Sequence, residues 1–298
     1  MHGNLAEHTG DVNGIVPGVS PQVYSQADFI RIAALVRRDA GIVLGDRKQM
    51  LAYTRLAPLV RESGLGNFKN YLDTLENDRA EATRVISALT TNHTYFNREP
   101  HHFEHFTTNL RNNLIAKAQG SDPVRIWSAG CSSGEEIWTL LMVLLGEDKN
   151  AGARIAKSKV VALASDLSAD IVEAAKEAIY PKEGLDAVPA ALQKNWCNSV
   201  EKDGKPSFSI GPELRKMVRF RQLNLLGPWP FTNHFDVIFC RNVMIYFDGP
   251  SKERLVLRLA QQLHPGGFLY IGHSERVVGD AAALLNPVGP TIYQRNSR

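Results

Sequence analysis

The sequence FDVIFCRNVMIYFD, residues 235–248, decides the fold class of this chain. Its apolar run at 237–240 predicts a strand that is buried on both faces, as in a parallel sheet. The run ends at Arg241 and Asn242, which places two polar side chains at the carboxyl end of the strand. Ligands of open α/β sheets bind outside that end, so the pattern predicts a binding site there.

A second strand that runs into a polar loop lies upstream. The segment 124–127 precedes the loop SAGCSSGEE at residues 128–136. Small residues after a strand let the backbone approach a ligand closely. Together the two units predict a nucleotide-like cofactor at the edge of a sheet.

Strands and helices alternate from residue 124 onward, which predicts an α/β fold with a doubly wound, Rossmann-like parallel sheet. Between residues 181 and 216 the alternation breaks, and Asp203-Gly204 between short apolar segments predicts a hairpin. We therefore expect an antiparallel β-subdomain inserted into the α/β domain. The predicted strands are 124–128, 159–165, 217–223, 235–240, 268–272 and a last antiparallel one within 286–295; the predicted helices are 134–145, 169–179 and 251–263.

The part of the chain before this domain is predicted to be mainly helical. Apolar residues recur at helix spacing from Ser25, and Gly41 is a plausible stop. Asp46 and Asn67 are candidate starts of two further helices, and 79–90 makes a fourth. The resulting boundaries are a flexible tail at 1–23, an all-helical domain at 24–90, a linker with a helix from Pro100 to about Ala118 at 91–123, and the α/β domain at 124–298.

The bulk composition limits the class of protein. The formal net charge of +3 over 298 residues is small, so we expect no general affinity for nucleic acid. No apolar run reaches the roughly 18 residues of a membrane span, and the N-terminus lacks a signal-peptide pattern. Cys131, Cys197 and Cys240 are isolated, which indicates reduced thiols. We expect a cytoplasmic protein without direct membrane insertion.

The loop at 128–136 favours one cofactor over another. Its glycines, Gly130 and Gly134, do not have the G-x-G-x-x-G spacing of dinucleotide sites. Glu135 would repel a pyrophosphate but could pair with an ammonium, which favours S-adenosylmethionine over NAD. Asp166, at the end of the next strand, would accept hydrogen bonds from ribose hydroxyls. The alternatives are a helix first-turn acid for Glu135 and a helix N-cap for Asp166, where Ser168 competes as the cap.

Two residues are candidates for holding a substrate. Arg98 lies in the polar segment 91–99 that joins the two predicted domains, and its guanidinium could hold a carboxylate through two hydrogen bonds. Tyr246 follows Arg241-Asn242 closely and could present a hydroxyl near the sheet edge. The alternatives are a solvated surface arginine and an ordinary core tyrosine.

Four histidines cluster near the start of the predicted connecting helix. The spacing of His101 and His105 places them on one helix face, yet there is no H-E-x-x-H pattern and no further ligand nearby. We expect partly packed histidines and no metal site. The cluster consists of His93, His101, His102 and His105.

Six segments, in order, closely resemble the CheR family, the methyltransferases that modify bacterial chemotaxis receptors. They are TNHTYFNREPHHF (91–103), RIWSAGCSSGEE (125–136), ASDLS (164–168), LNLL (223–226), FDVIFCRNVMIYFD (235–248) and GFLYIGHSE (267–275). The resemblance covers about residues 25–295 and implies the architecture predicted above. His93 and Asn97 depart from the family's apolar or aromatic residues, which suggests local tuning.

This resemblance implies methyl transfer from S-adenosylmethionine to glutamate side chains in the cytoplasmic helical bundle of a receptor, which gives glutamyl methyl esters. It also suggests that a receptor's C-terminal peptide could bind at the β-subdomain. Arg98 and Tyr246 would handle the target carboxylate. The cofactor contacts implied by the family are Asn92, Thr94, Arg98, Glu135, Asp166, Asn224, Leu225, Arg241 and Asn242.

Other functions remain open at the level of the sequence. A methyltransferase that acts on another protein or on nucleic acid would use the same fold, and basic residues of the helical domain would suit either acidic target. A non-catalytic adaptor that senses the cofactor is a different class, although the retained polar residues argue against it. A nicotinamide dehydrogenase fits least because of Glu135 and the loop spacing.

Overall fold

The computed structural model describes residues 19–90 and 93–297. The chain divides into two compact units, one ending at Leu89 and the other beginning at Thr90. Within the described ranges, none of the helices has the length and apolar character needed to cross a membrane. The predicted tail falls mostly on residues 1–18, outside the described residues. In residues 20–23, the Val23 amide donates to the Ser20 carbonyl, and the Val23 carbonyl accepts from the Phe68 amide.

The first unit is all-helical, as predicted. Ser25 caps its first helix through a capping box, in which the serine hydroxyl accepts from the Asp28 amide and the Asp28 carboxylate accepts from the Ser25 amide. Gly41 ends that helix in the left-handed region, with φ of 68°. Asn67 caps the third helix, whereas Asp46 begins a short 3-10 turn before the second. The helices are α1 (Gln26–Ala40), α2 (Gln49–Glu62), α3 (Phe68–Thr74) and α4 (Arg79–Leu89).

Aromatic packing fixes the start of this unit. Tyr24 and Phe68 are buried, and their ring centroids lie 4.5 Å apart. The apolar stripe of α1 (Phe29, Ile32 and Val36) is buried as well. The capping box therefore sits beside the core, where it sets the point at which α1 begins.

We predict that Ser25→Ala lowers the free energy of unfolding of the helical unit by about 1 kcal/mol, because the Asp28 amide then loses its capping acceptor. Chemical unfolding monitored by circular dichroism measures the change. Thr83→Ala, inside α4, is the matched control and should cost less, because alanine favours a helix interior. An equal loss in both variants would contradict the capping role.

The second unit has the predicted α/β class. A π-helical turn, Phe106–Leu110, joins its first two helices. Its elements are α5 (Pro100–His105), α6 (Arg111–Gln119), β1 (Val124–Ala129), α7 (Glu135–Leu145), α8 (Lys149–Ala156), β2 (Val160–Asp166), α9 (Ala169–Glu177), β3 (Ile179–Pro181), α10 (Ala190–Trp196), β4 (Cys197–Lys202), β5 (Lys205–Ile210), α11 (Pro212–Met217), β6 (Val218–Gln222), β7 (Phe235–Cys240), α12 (Gly249–Gln262), β8 (Leu263–Ile271), β9 (Leu285–Gly289) and β10 (Ile292–Arg295).

The main sheet has the strand order β6-β2-β1-β7-β8-β10-β9. The first five strands in this order are parallel, and β10 runs antiparallel to both of its neighbours, β8 and β9. All six residues of β7 are buried, as its apolar sequence predicts. From β1 the chain winds outward through β2 and β6, and then returns to place β7 on the other side of β1. The β1–β7 boundary is therefore the switch point of the sheet, where a ligand crevice is expected.

The inserted subdomain is an antiparallel sheet with the order β3-β5-β4. The predicted hairpin is present, and Asp203 and Gly204 both have positive φ values, 52° and 72°. The predicted helix 169–179 is wrong at its end. It stops at Glu177 because Ala178 takes the left-handed conformation, and Ile179 already begins β3.

Other differences concern short or irregular elements. The last predicted strand is in fact two strands, β9 and β10. The helices α8, α10 and α11 were not predicted; they have six to eight residues, which is too short for a clear apolar period.

Candidate active site

Two glycines let the loops after β1 and β7 meet at the switch point. Gly130 has φ of 85°, and a Cβ added there would lie 2.4 Å from Cγ2 of Val243. Gly134 has φ of 98°, and its Cβ would lie 2.9 Å from Nε1 of Trp138. A side chain at residue 130 would therefore clash with the loop after β7, and a side chain at residue 134 would clash with α7.

Asp166 organises the loop between β1 and α7. Its Oδ2 accepts from the Ser132 amide at 2.9 Å, and its Oδ1 accepts from the Ser168 amide at 3.1 Å. Ser168 caps α9, so the alternative of Asp166 as the N-cap is wrong. An ionised carboxylate has about four acceptor sites, so Asp166 retains capacity for further donors such as ribose hydroxyls. Its burial raises the pKa of Asp166.

Glu135 lies in the first turn of α7, directly after the loop. Its Oε2 accepts from the Ser133 hydroxyl at 2.7 Å. Burial raises the pKa of Glu135, and the hydrogen bond from Ser133 opposes that shift. A half-buried carboxylate held by a neutral hydroxyl is a suitable site for an ammonium group.

The loop after β6 joins the same edge of the sheet. The Leu223 amide donates to the backbone carbonyl of Asp166 at 2.8 Å, which brings the next two residues beside that strand end. The Asn224 side chain accepts from the Leu226 amide, and Leu225 is buried. The predicted pair Asn224 and Leu225 therefore neighbours Asp166.

Arg241 is the charged centre of the site, and its side chain is 2% exposed. Its Nη1 lies 3.3 Å from Oε2 of Glu136, and its Nη2 lies 3.4 Å from Oε2 of Glu99. Nη2 also donates to the backbone carbonyl of Arg98. The guanidinium is thus held between two carboxylates, so its main role in the structure is to join three segments of the chain.

Glu99 ties the segment before α5 to the ends of β7 and β8. Its backbone is left-handed, with φ of 58°. Its Oε1 accepts from the His273 amide at 3.3 Å and from Nδ2 of Asn242 at 3.4 Å. Burial alone would raise the pKa of Glu99, but the charge of Arg241 and the hydrogen bonds from His273 outweigh it, and the pKa falls to about 2.

Glu275 fixes the loop that carries Asn242. The carboxylate accepts from the amides of Gly272, Asn242 and Met244, at 2.6, 3.1 and 2.7 Å. These bonds hold Asn242 in its left-handed conformation, with φ of 58°. No sequence pattern predicted a role for Glu99, Glu136 or Glu275. The sequence feature that they share is that each lies in a polar segment at the end of a strand or a helix.

The segment that carries Arg98 is anchored on both sides of that residue. Phe96 is buried against Tyr180 and Phe208, with ring centroids at 4.9 and 5.4 Å. The guanidinium of Arg98 donates to the His93 carbonyl at 3.0 Å. Burial raises the pKa of Glu136, and the charges of Arg241 and, to a smaller extent, Arg98 oppose that shift. Thr94 is half-buried in this segment, and Asn92 lies outside the described residues.

Tyr246 ends the short 3-10 helix Met244–Tyr246 after β7 and is half-buried. Its amide donates to the Val243 carbonyl, and Val243 is the residue that packs against Gly130. The backbone of Tyr246 therefore lies close to the loop after β1.

Two of the four histidines, His102 and His105, pack against Tyr270, whereas His93 is exposed. His105 Nδ1 lies 2.9 Å from the Tyr270 hydroxyl. His102 is fully buried, and burial together with the charge of Arg241 lowers its pKa to about 3, so it is neutral. In residues 19–90 and 93–297, no group of three or more His, Cys, Asp or Glu could hold a metal ion.

Two family models match the chain. The model described as CheR methyltransferase, SAM binding domain, matches residues 92–292, and the CheR methyltransferase all-alpha domain matches residues 27–90. The chain belongs to the CheR methyltransferase family. It is a methyltransferase that uses S-adenosylmethionine, as the sequence predicted.

Curated relatives agree with this assignment. A probable chemotaxis protein methyltransferase of Rhizobium etli is 37% identical over 89% of this chain and 98% of its own length. Chemotaxis protein methyltransferase 2 of Pseudomonas aeruginosa is 37% identical, covering 91% and 93%. The Escherichia coli chemotaxis protein methyltransferase is also 37% identical, covering 84% and 85%. Among solved structures, PKMT2 from Rickettsia typhi in complex with AdoHcy gives a TM-score of 0.31 at 18% identity, over 56% of this chain and 25% of that chain.

The hydrogen-bond acceptors of the site fit S-adenosylmethionine. Asp166 offers acceptors to hydroxyls, and Glu135 offers a carboxylate to an amine. The acidic loop does not suit a pyrophosphate, which supports the choice of this cofactor over a dinucleotide.

The buried ion pair of Glu99 makes stability depend on pH. The folded pKa of about 2 is below the ordinary unfolded value of about 4.3, so Glu99 stabilises the fold above that value and loses this effect as pH falls toward 2. We predict that Glu99→Gln is destabilised most above pH 5, and that its difference from wild type shrinks below pH 4.

Urea unfolding at pH values between 3 and 7 measures this dependence. Glu201→Gln, which removes an exposed carboxylate on β4, is the control and should follow the wild-type curve. A Glu99→Gln difference that stays constant over the whole range would contradict the assignment.

Proposed function

We propose that this chain transfers a methyl group from S-adenosylmethionine to glutamate side chains of bacterial chemotaxis receptors, which produces glutamyl methyl esters. The observation that carries the proposal is the position of Arg98, a cation anchored beside an acidic cofactor loop. The curated relatives named chemotaxis protein methyltransferases support the choice of target.

In this proposal each strand end holds one part of the cofactor. Glu135 pairs with the amine of its amino acid portion, and Asp166 accepts from the ribose hydroxyls. Asn224 and Leu225 line the nucleoside side, next to Asp166. The remaining proposed contacts come from the segment before α5 and the loop after β7; they are Asn92, Thr94, Arg98, Arg241 and Asn242. Because the guanidinium of Arg241 is engaged by Glu99 and Glu136, we assign its contact to the backbone.

The proposed methyl transfer does not require general acid–base catalysis. When bound, S-adenosylmethionine supplies a methyl group that its sulfonium already activates. A glutamate with an ordinary pKa of about 4.3 is ionised at neutral pH, so no general base has to remove a proton. What remains for the protein is to orient the carboxylate toward the methyl group and to exclude water from it.

Arg98 and Tyr246 are the proposed residues for orienting the target. One Arg98 nitrogen is engaged with the His93 carbonyl, which sets the direction of the guanidinium and leaves other N–H groups for a carboxylate. Too strong an ion pair would stabilise the nucleophile and slow its attack. We therefore assign Arg98 a holding role that the Tyr246 hydroxyl shares.

We predict that Arg98→Ala lowers the methylation rate at least about tenfold, or roughly 1.4 kcal/mol in the barrier, because the target carboxylate loses its cationic partner. The measurement is the initial rate of methyl incorporation with saturating cofactor. Arg154→Ala removes an exposed arginine of α8, before the amino end of β2, and should retain the wild-type rate. Near-wild-type turnover of Arg98→Ala would refute its role.

The type of product tests the proposed function itself. Purified protein is incubated with radiolabelled S-adenosylmethionine and membranes from a chemotactic bacterium, and labelled bands are treated with mild alkali. The proposal predicts receptor-sized bands whose label is released as methanol. Label that resists alkali would show methylation of nitrogen and would overturn the proposal.

The small sheet has an edge that is open to a further strand. Its strand order leaves β3 and β4 at the two edges, and most residues of β4 are exposed. An extended peptide could add to this edge through backbone hydrogen bonds. We propose this edge as the docking site for the C-terminal peptide of a receptor.

We predict that Val200→Pro weakens the binding of such a peptide, because proline removes an amide from β4 and disturbs the strand. Fluorescence anisotropy with a labelled peptide from a receptor C-terminus measures the affinity. Val200→Thr keeps the backbone and is the control. Equal affinity of both variants would exclude this edge.

A further inference from the structure

A tyrosine of the small sheet contacts the cofactor loop of the large sheet. Tyr180 lies on β3 and is buried, and its hydroxyl donates to the Ser133 carbonyl at 2.6 Å. Ser133 belongs to the loop between β1 and α7, 47 residues earlier in the chain. The inserted subdomain is therefore bonded directly to the loop that carries the proposed amine-binding residue.

The loop is shaped around this hydroxyl. Ser133 donates its own hydroxyl to the Glu135 carboxylate at 2.7 Å, so the residue that Tyr180 holds in turn orients Glu135. Gly134 lies between them, and a Cβ added to it would be 3.0 Å from the Tyr180 oxygen. The space that a side chain would need at residue 134 is thus occupied in part by the tyrosine hydroxyl.

The ring of Tyr180 is fixed separately from its hydroxyl. It packs edge-on against Phe96 at 4.9 Å and tilted against Phe208 at 5.5 Å between ring centroids. Phe96 lies two residues before Arg98, so one side chain contacts both the cofactor loop and the segment with the proposed target-holding residue. Burial first, and the charge of Glu135 second, raise the pKa of Tyr180 well above its ordinary value, which keeps the phenol protonated as a donor.

We propose that Tyr180 is a positioning residue for the cofactor: through the Ser133 carbonyl it fixes the loop so that Glu135 meets the amine of S-adenosylmethionine. This inference rests on the proposed function only in placing that amine at Glu135. It gives the inserted sheet a second role beside any peptide docking, since the sheet also supports the cofactor loop.

Tyr180→Phe is the test, because it keeps the buried ring and removes only the oxygen. We expect the affinity for S-adenosylhomocysteine, measured by calorimetry with no methyl acceptor, to fall about three- to tenfold. In turnover, KM for the cofactor should rise by a similar factor while kcat changes less than about twofold. A variant that is merely destabilised would instead lose active protein, which lowers apparent kcat and leaves KM unchanged.

Tyr270→Phe is the matched control. It also removes a buried hydroxyl, which lies 2.9 Å from Nδ1 of His105 rather than on the cofactor loop, and its affinity for S-adenosylhomocysteine should match wild type. Ser133→Ala supplies a second variant. If both residues act through the same loop, the loss in Tyr180→Phe/Ser133→Ala is smaller than the product of the single losses.

Unchanged affinity in Tyr180→Phe, an equal loss in Tyr270→Phe, or fully multiplicative losses in the double variant would each overturn the inference. Because S-adenosylhomocysteine binding requires no acceptor, a protein that methylates another target would give the same result here. Failure of this inference is therefore distinguishable from failure of the proposed receptor chemistry.

Discussion

The buried charge of Arg241 is the constraint on which the site depends. A guanidinium cannot be left without partners in the interior, and here the carboxylates of Glu99 and Glu136 compensate it at 3.4 and 3.3 Å. These three residues come from the segment before α5, from α7 and from the end of β7. The ion pairs therefore do more than balance charge, because they fix the relative positions of three segments that carry the proposed cofactor and target contacts. Removing one partner from such a group typically costs about 3–5 kcal/mol.

The acidic residues of the site form two groups that differ in their hydrogen-bond and ion-pair partners. Glu99 and Glu136 are engaged by Arg241, and Glu275 is engaged by three backbone amides of the β7 and β8 loops. By contrast, Glu135 accepts from the Ser133 hydroxyl, and Asp166 accepts from the amides of Ser132 and Ser168. The first group holds the loops in place, and the second retains acceptor capacity for a ligand. Methyl transfer to an ionised carboxylate needs this kind of fixed arrangement more than it needs a proton donor or acceptor.

Local patterns predicted much of the fold, because they report burial and capping directly. The apolar run of β7, the end of α1 at Gly41 and the Asp203-Gly204 turn all formed as expected. Predictions failed where distant contacts decide the structure, as at Ala178, whose left-handed backbone ends α9 and frees Ile179 for pairing with β5. The roles of Glu99 and Tyr180 were also beyond a sequence pattern, since each depends on a partner more than 40 residues away in the chain. The positions of Asp166 and Glu135 at one edge of the sheet could be predicted from the sequence, because the carboxyl ends of parallel strands meet at that edge.

A crystal structure of the protein with S-adenosylhomocysteine tests this account of the site most directly. We expect the nucleoside at the β1–β7 switch point, with the ribose hydroxyls on Asp166, the amine on Glu135, and the Arg241 guanidinium still held by Glu99 and Glu136. A complex in which Arg241 leaves these carboxylates to bind the ligand, or in which the ligand lies away from Asp166 and Glu135, would contradict it.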